Sequence, residues 1–283
     1  MQQSDSHADE QRAEATAPGQ YASVNGLDLY YEIHGRGAPL ILLHGGFAAS
    51  ESLGENLSEL AKGRQVIAVH LQGHGRTRDI ERPLRYEALA DDIAALIRHL
   101  GFEQADVMGY SMGGGVALQT AIRHPALVRK LVVVSAAMRR GDWYPEVVAG
   151  FAAMTDNAPQ IGANVKNEPI ARLYPHIDWV ALFTKMGELL ARDYDWSAEV
   201  ERIAAPTMLV FADADSVRPE HIIEFYKLLG GGQRDAGFDN ALRPVARLAI
   251  VPGATHYNIM STAIVAELVA PFLDAPQPAA RAA

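Results

Sequence analysis

From Tyr21 onward the chain switches between two hydrophobic rhythms: short unbroken apolar runs, and longer stretches whose apolar residues fall three or four apart. An unbroken run is buried on both faces, as in a parallel sheet covered by helices, whereas the wider spacing places apolar side chains on one helix face. The pattern predicts strands at Pro39–Leu43, Gln65–Val69, Ala105–Met108, Lys130–Ser135, Thr207–Phe211 and Arg247–Val251. It predicts helices at Leu53–Lys62, Tyr86–Leu100, Gly114–Arg123, Pro219–Leu229 and Thr262–Leu273. Before them, an alternating stretch from Tyr21 to His34 is broken by Asn25-Gly26, a pair that fits a tight hairpin turn, so two antiparallel strands open the domain. Strands alternating with helices in this way make an α/β domain.

Between Met138 and about Arg202 the rhythm fails, and prolines at 145, 159, 169 and 175 interrupt helical pieces rich in Trp, Tyr, Phe and Met. We read residues 139–202 as a helical cap inserted into a core of 21–138 and 203–275. Residues 1–20 are rich in Ser, Asp, Glu, Gln and Ala and lack the apolar core of a signal peptide, so they read as a disordered leader. The Pro/Ala-rich residues 276–283 read as a frayed tail. Gly230-Gly231-Gly232 and the stretch to Arg243 form a polar loop with no legible role.

Composition narrows the chemistry. The absence of cysteine removes disulfides, thiolate metal sites and a cysteine nucleophile. A net charge of −9 with no Lys/Arg cluster argues against nucleic acid as a partner. No apolar run is long enough to span a membrane, so the expected location is cytoplasmic and the expected partner a small molecule. No His spacing suggests a metal site. Gly113-Gly114-Gly115 lacks the Lys-Ser/Thr of a phosphate loop and reads as a device for close helix packing.

Ser111 lies within Gly109-Tyr110-Ser111-Met112-Gly113, after an apolar run and before a helical pattern. A strand turning abruptly into a helix forces its turn residue into strained backbone angles, and flanking glycines let the two elements approach. A serine so placed can act as a nucleophile if a base and an orienting acid are near. Asp213 and Asp215 follow the strand after the cap, and His256 follows the last strand, giving the order Ser, acid, His. Asp215 is favoured as the acid because its position shortly before the next helix lets a carboxylate reach over the strand ends, while Asp213 competes and can instead brace the turn. The backbone of Met112 is one candidate oxyanion donor, and Gly46 or Phe47, in His44-Gly45-Gly46-Phe47, is the other. His44 and His74 read as structural. Trp143, Tyr144, Phe151, Met154, Trp179, Phe183 and Met186 are the candidate substrate-binding side chains of the cap, and an inward-facing arginine among Arg139, Arg140, Arg172 and Arg192 would suit a carboxylate.

With these residues in place, 21–275 resembles the α/β-hydrolase superfamily. The resemblance rests on Leu43-His44-Gly45-Gly46, Gly73-His74-Gly75-Arg76-Thr77, Gly109-Tyr110-Ser111-Met112-Gly113-Gly114, Asp213-Ala214-Asp215 and Gly253-Ala254-Thr255-His256, in the family's order. It implies an α/β-hydrolase fold with an eight-stranded, mostly parallel sheet, a triad of Ser111, Asp215 and His256, no cofactor, and a variable cap. Two positions depart from the pattern: His70 stands where relatives often have an acid, and Ala212 where they often have glycine. The Ser-Met pair and short oxyanion loop look most like the serine esterase, enol-lactonase and cofactor-free perhydrolase branch. That implies ester or lactone hydrolysis through an acyl-enzyme. Carbon–carbon bond hydrolases stay open, although many have Trp where this chain has Tyr257, and so does a non-catalytic receptor on the same fold.

Overall fold

A computed structural model describes residues 19–277. The leader expected over 1–20 therefore lies outside the described residues except for Gly19 and Gln20, and Gln20 already belongs to the first strand. Of the tail expected over 276–283, only Pro276 and Gln277 are described.

Eight strands form one sheet: β1 (Gln20–Val24), β2 (Leu27–His34), β3 (Ala38–Leu43), β4 (Arg64–Val69), β5 (Ala105–Tyr110), β6 (Val128–Val134), β7 (Thr207–Ala214) and β8 (Arg247–Thr255). Their order is β1-β2-β4-β3-β5-β6-β7-β8, with β2 antiparallel to both neighbours and every other pair parallel. Val24 pairs with Leu27, and Asn25 and Gly26 carry φ of 49° and 83°, the left-handed conformation that closes a two-residue hairpin.

The helices are α1 (Gly54–Ala61), α2 (Tyr86–His99), α3 (Met112–Arg123), α4 (Pro145–Val165), α5 (Pro169–Leu173), α6 (Trp179–Ala191), α7 (Ser197–Val200), α8 (Pro219–Leu228) and α9 (Ile264–Asp274). Two apolar clusters sit on opposite faces of the sheet. One gathers Ile41, Ile67, Val107, Leu131 and Leu209 with residues of α2, α3 and α8; the other gathers Leu40, Leu42, Val66, Val132 and Val210 with residues of α1 and α9. Alternate residues of one strand thus point into different clusters, which is why these strands read as unbroken apolar runs. Among the described residues no helix is long and apolar enough to cross a membrane.

The segment between β6 and β7 departs from the short pieces expected there. Pro159 does not end a helix but lies inside the 21-residue α4. Its ring removes one backbone donor, yet α4 packs along α6 at two close approaches that compensate. A Cβ added at Gly187 would lie 2.3 Å from Thr155 Oγ1, and one at Gly162 would lie 2.8 Å from the Val180 backbone nitrogen. Tertiary packing outweighs the proline's local preference.

Candidate active site

β5 runs to Tyr110, and α3 begins at Met112, leaving Ser111 alone in the turn with φ 53° and ψ −117°. This conformation lies outside the ordinary regions for a residue with a side chain and costs roughly 1–3 kcal/mol. The surrounding glycines are required by contact: a Cβ at Gly109 would sit 2.0 Å from Gly113 O, and one at Gly113 would sit 2.4 Å from His44 O. The turn holds the serine Oγ 3.0 Å from His256 Nε2.

His256 follows β8, and its Nδ1 lies 3.1 Å from Asp215 Oδ1. With Nδ1–H donating to the carboxylate, Nε2 turns a lone pair toward Ser111. Asp215, on the turn after β7, is held on both oxygens. Oδ1 accepts from Ser216 N at 2.8 Å, and Oδ2 accepts from Ala212 N at 3.0 Å and from Ser135 Oγ at 2.6 Å. Burial pushes the Asp215 carboxyl up, but the hydrogen bond and charge of His256, together with the Ser135 hydroxyl and Ala212 amide, outweigh it and leave the carboxyl below its ordinary value. Asp213 is exposed and accepts instead from Gly253 N at 3.0 Å, tying the end of β7 to the bend in β8.

Sequence reasoning missed three residues that support this constellation. Ser135 directly follows β6 in a left-handed conformation with φ 48°, and the only signal available was its place at the carboxyl end of a strand. The Tyr110 hydroxyl donates to His256 O at 2.5 Å. Trp143, expected only as a substrate contact, also packs edge-to-face on the His256 ring with centroids 5.4 Å apart, and its Nε1–H donates to Tyr194 Oη at 3.2 Å.

The loop after β3 closes the other side. Phe47 has φ 60°, and its ring stacks on Phe183 at 4.2 Å. A Cβ added at Gly46 would lie 4.0 Å from the Met112 Cβ, so the Gly46 backbone runs beside the start of α3. Met112 is the first residue of that helix, where a backbone N–H has no intrahelical acceptor and the helix dipole favours negative charge. Beneath the loop, His44 Nε2 accepts from Leu71 N at 3.1 Å while Nδ1 meets Gly45 O at 2.7 Å. Burial, reinforced by His74 and His70, pushes the His44 pKa well below the usual imidazole value. Burial also brings His70 and His74 down to about 4. All three are neutral at pH 7, and they brace loops. His70, the departure from the resemblance, lies 2.8 Å from Ser50 Oγ and accepts from Arg76 N at 2.8 Å, so a neutral ring ties the two loops together.

A cavity of about 310 Å³ opens onto Ser111 and His256, with Gly46, Phe47 and Met112 in its wall. Of the side chains expected from the cap, Trp143, Phe151, Met154 and Met186 line it, and Tyr144, Trp179 and Phe183 do not. Trp179 and Phe183 are buried in the core, and Tyr144 is half-buried with its backbone N–H bonded to Ser216 O. None of the four arginines expected in the cap reaches the cavity: Arg139 pairs with Asp142 and Glu224, Arg140 donates to Leu190 O, and Arg172 and Arg192 are exposed. Among the described residues no group of three or more His, Cys, Asp or Glu could hold a metal ion.

Residues 38–246 match the model of the alpha/beta hydrolase fold family. The chain belongs to that family. Within it, 107 residues are 39% identical to 2-hydroxymuconate semialdehyde hydrolase from Pseudomonas sp. (strain CF600), covering 36% of this chain and 38% of that protein. The match to that hydrolase thus spans well under half its length. Among solved structures, the enol-lactonase from Burkholderia xenovorans LB400 superposes with a TM-score of 0.70 over 90% of this chain and 100% of that one, at 22% identity. A thermophilic esterase from Thermogutta terrifontis gives a TM-score of 0.69 over 91% of this chain and 97% of that one, at 20% identity. At these identities the two structures speak for the alpha/beta hydrolase architecture alone.

Proposed function

We propose that this protein is a serine hydrolase that cleaves a carboxylic ester or lactone of a small, uncharged, largely apolar substrate through an acyl-enzyme. The observation that carries the reading is the continuous chain from Ser111 Oγ through both His256 nitrogens to Asp215, at 3.0 and 3.1 Å, opening onto a mostly apolar cavity. His256 takes the Ser111 proton as Oγ attacks the carbonyl, and Asp215 stabilises the resulting imidazolium without itself becoming protonated. The tetrahedral oxyanion is held by the Met112 N–H and by an N–H of Gly46 or Phe47. The approach of the Gly46 backbone to Met112 favours Gly46. Losing one such donor costs roughly 2.7–4 kcal/mol of transition-state stabilisation. The imidazolium protonates the leaving alcohol, and His256 then activates water to release the acid and restore Ser111. In this reading α4 to α7 are the cap, and Trp143, Phe151, Met154 and Met186 bind the substrate.

Similarity to the semialdehyde hydrolase supports a second reading, a carbon–carbon bond hydrolase on the same triad. Muconate-type substrates carry a carboxylate, and among the described residues no Lys or Arg lines this cavity, which favours the uncharged ester. The test is hydrolysis of chromogenic acyl esters and simple lactones at neutral pH without added metal, beside Ser111→Ala. Turnover lost in the variant is the expected result. A folded wild type that turns over none of them refutes the ester reading, and ligand binding without turnover points to a receptor.

A further inference from the structure

A second hollow of about 200 Å³ lies beside the active-site cavity, and among the described residues the one common to both walls is Tyr86. The two chambers differ in chemistry. Aromatic, Met, Leu and Val side chains dominate the cavity around Ser111, whereas the second hollow is rimmed by Arg85, Glu87, Arg192, Asp193 and Asp195. Behind Tyr86, consecutive residues at the end of α6 divide the same way, Leu190 lining the active-site cavity and Leu189 the second hollow.

The Tyr86 ring is held rigidly in this position. It begins α2 and lies over Gly115 of α3, where an added Cβ would meet its Cε1 at 2.5 Å. Trp196 and Tyr194 pack edge-to-face against it with centroids 5.2 and 5.8 Å away. An aromatic ring packed from three sides is a fixed wall.

We infer that Tyr86 is a specificity-determining partition, which ends the apolar cavity and so limits the length of the substrate arm lying there. Behind it the second hollow is a latent extension suited to an arm with an apolar stem and a polar tip. This rests on the ester-hydrolase reading above. Removing the ring joins the chambers, and an arm stopped at Tyr86 can continue toward the charged rim.

The test uses the full chain and two series of esters: acyl chains of increasing length on a fixed p-nitrophenol, and alkyl acetates of increasing alcohol length. In Tyr86→Ala, the ratio of kcat/KM for a twelve-carbon arm to that for a four-carbon arm rises at least about tenfold in one series, the gain that burying two further methylenes supplies. Tyr86→Phe, which keeps the ring, retains the wild-type ratio. Tyr86→Leu, a smaller apolar side chain that keeps more of the packing, shows the same direction if the alanine variant is poorly folded. Wild-type turnover with unchanged ratios in both series for folded Tyr86→Ala and Tyr86→Leu overturns the partition alone. Absence of ester turnover by wild type overturns the partition together with the reading on which it rests.

Discussion

Replacing Ser135 by alanine tests whether Asp215 is held as a charge. The substitution deletes one hydroxyl, donated to Asp215 Oδ2 at 2.6 Å between two buried residues. A charge-assisted bond of this kind contributes roughly 1.5–3 kcal/mol. The Ala212 amide still donates to the same oxygen, so the expected loss lies near the lower end, about 1.5 kcal/mol. The folded carboxyl is depressed below its ordinary value, so its contribution to stability is present above the unfolded carboxyl's pKa and is lost as pH falls through the folded value. Ser135→Ala moves the folded value back toward the unfolded one. Urea unfolding of both proteins therefore shows the full difference at pH 7 and a shrinking difference below about pH 4, where the unfolded carboxyl protonates. Because Ser135 does not line the cavity, kcat falls by about tenfold, the equivalent of 1.4 kcal/mol, while KM stays. An equal loss of stability at both ends of the pH range would refute this, since the hydroxyl would then matter for packing and not for the charge.

Three further outcomes follow from the same geometry. Gly109→Ala places a methyl 2.0 Å from a backbone oxygen of α3, so the variant loses about 3 kcal/mol or more and unfolds at lower urea or accumulates as insoluble protein. Tyr110→Phe removes the hydroxyl that fixes the His256 carbonyl and lowers kcat by an amount corresponding to about 0.5–1.5 kcal/mol. Burial, with Asp215 and Tyr257, pushes that phenol up to about 12, so the wild-type rate shows no alkaline loss from Tyr110 between pH 8 and about pH 11. Lys130→Met leaves the carbonyls of Phe272, Leu273 and Ala275 at the end of α9 without their shared ammonium. It costs about 2–3 kcal/mol in urea unfolding, with kcat per folded molecule unchanged.

The central strands β3 to β7 were legible because they are largely buried on both faces and therefore appear as unbroken apolar runs, and the opening hairpin was legible from its alternation around Asn25-Gly26. The order of Ser111, Asp215 and His256 was legible because each follows such a run. What escaped was set by contacts between distant positions. Ser135 closed its strand like any other residue, since its partner is 80 positions away. Lys130 looked like the polar start of a strand, while its ammonium caps a helix end more than 140 residues later. Pro159 read as an interruption because the close packing of α4 on α6 at Gly162 and Gly187 leaves no local trace. The aromatic residues of 139–202 could not be divided between core and cavity, because Phe183 and Phe151 both belong to apolar helical stretches and only the fold puts one against Phe47 and the other in the cavity wall.

Peptide mapping of the protein quenched in acid during turnover of an activated aryl ester tests most directly whether Ser111 is the nucleophile. The expected result is a transient mass gain from the acyl group on the peptide carrying Ser111, absent in Ser111→Ala and longer-lived in His256→Gln. Ester turnover with no acyl group on Ser111, or an adduct that persists in Ser111→Ala, would contradict it.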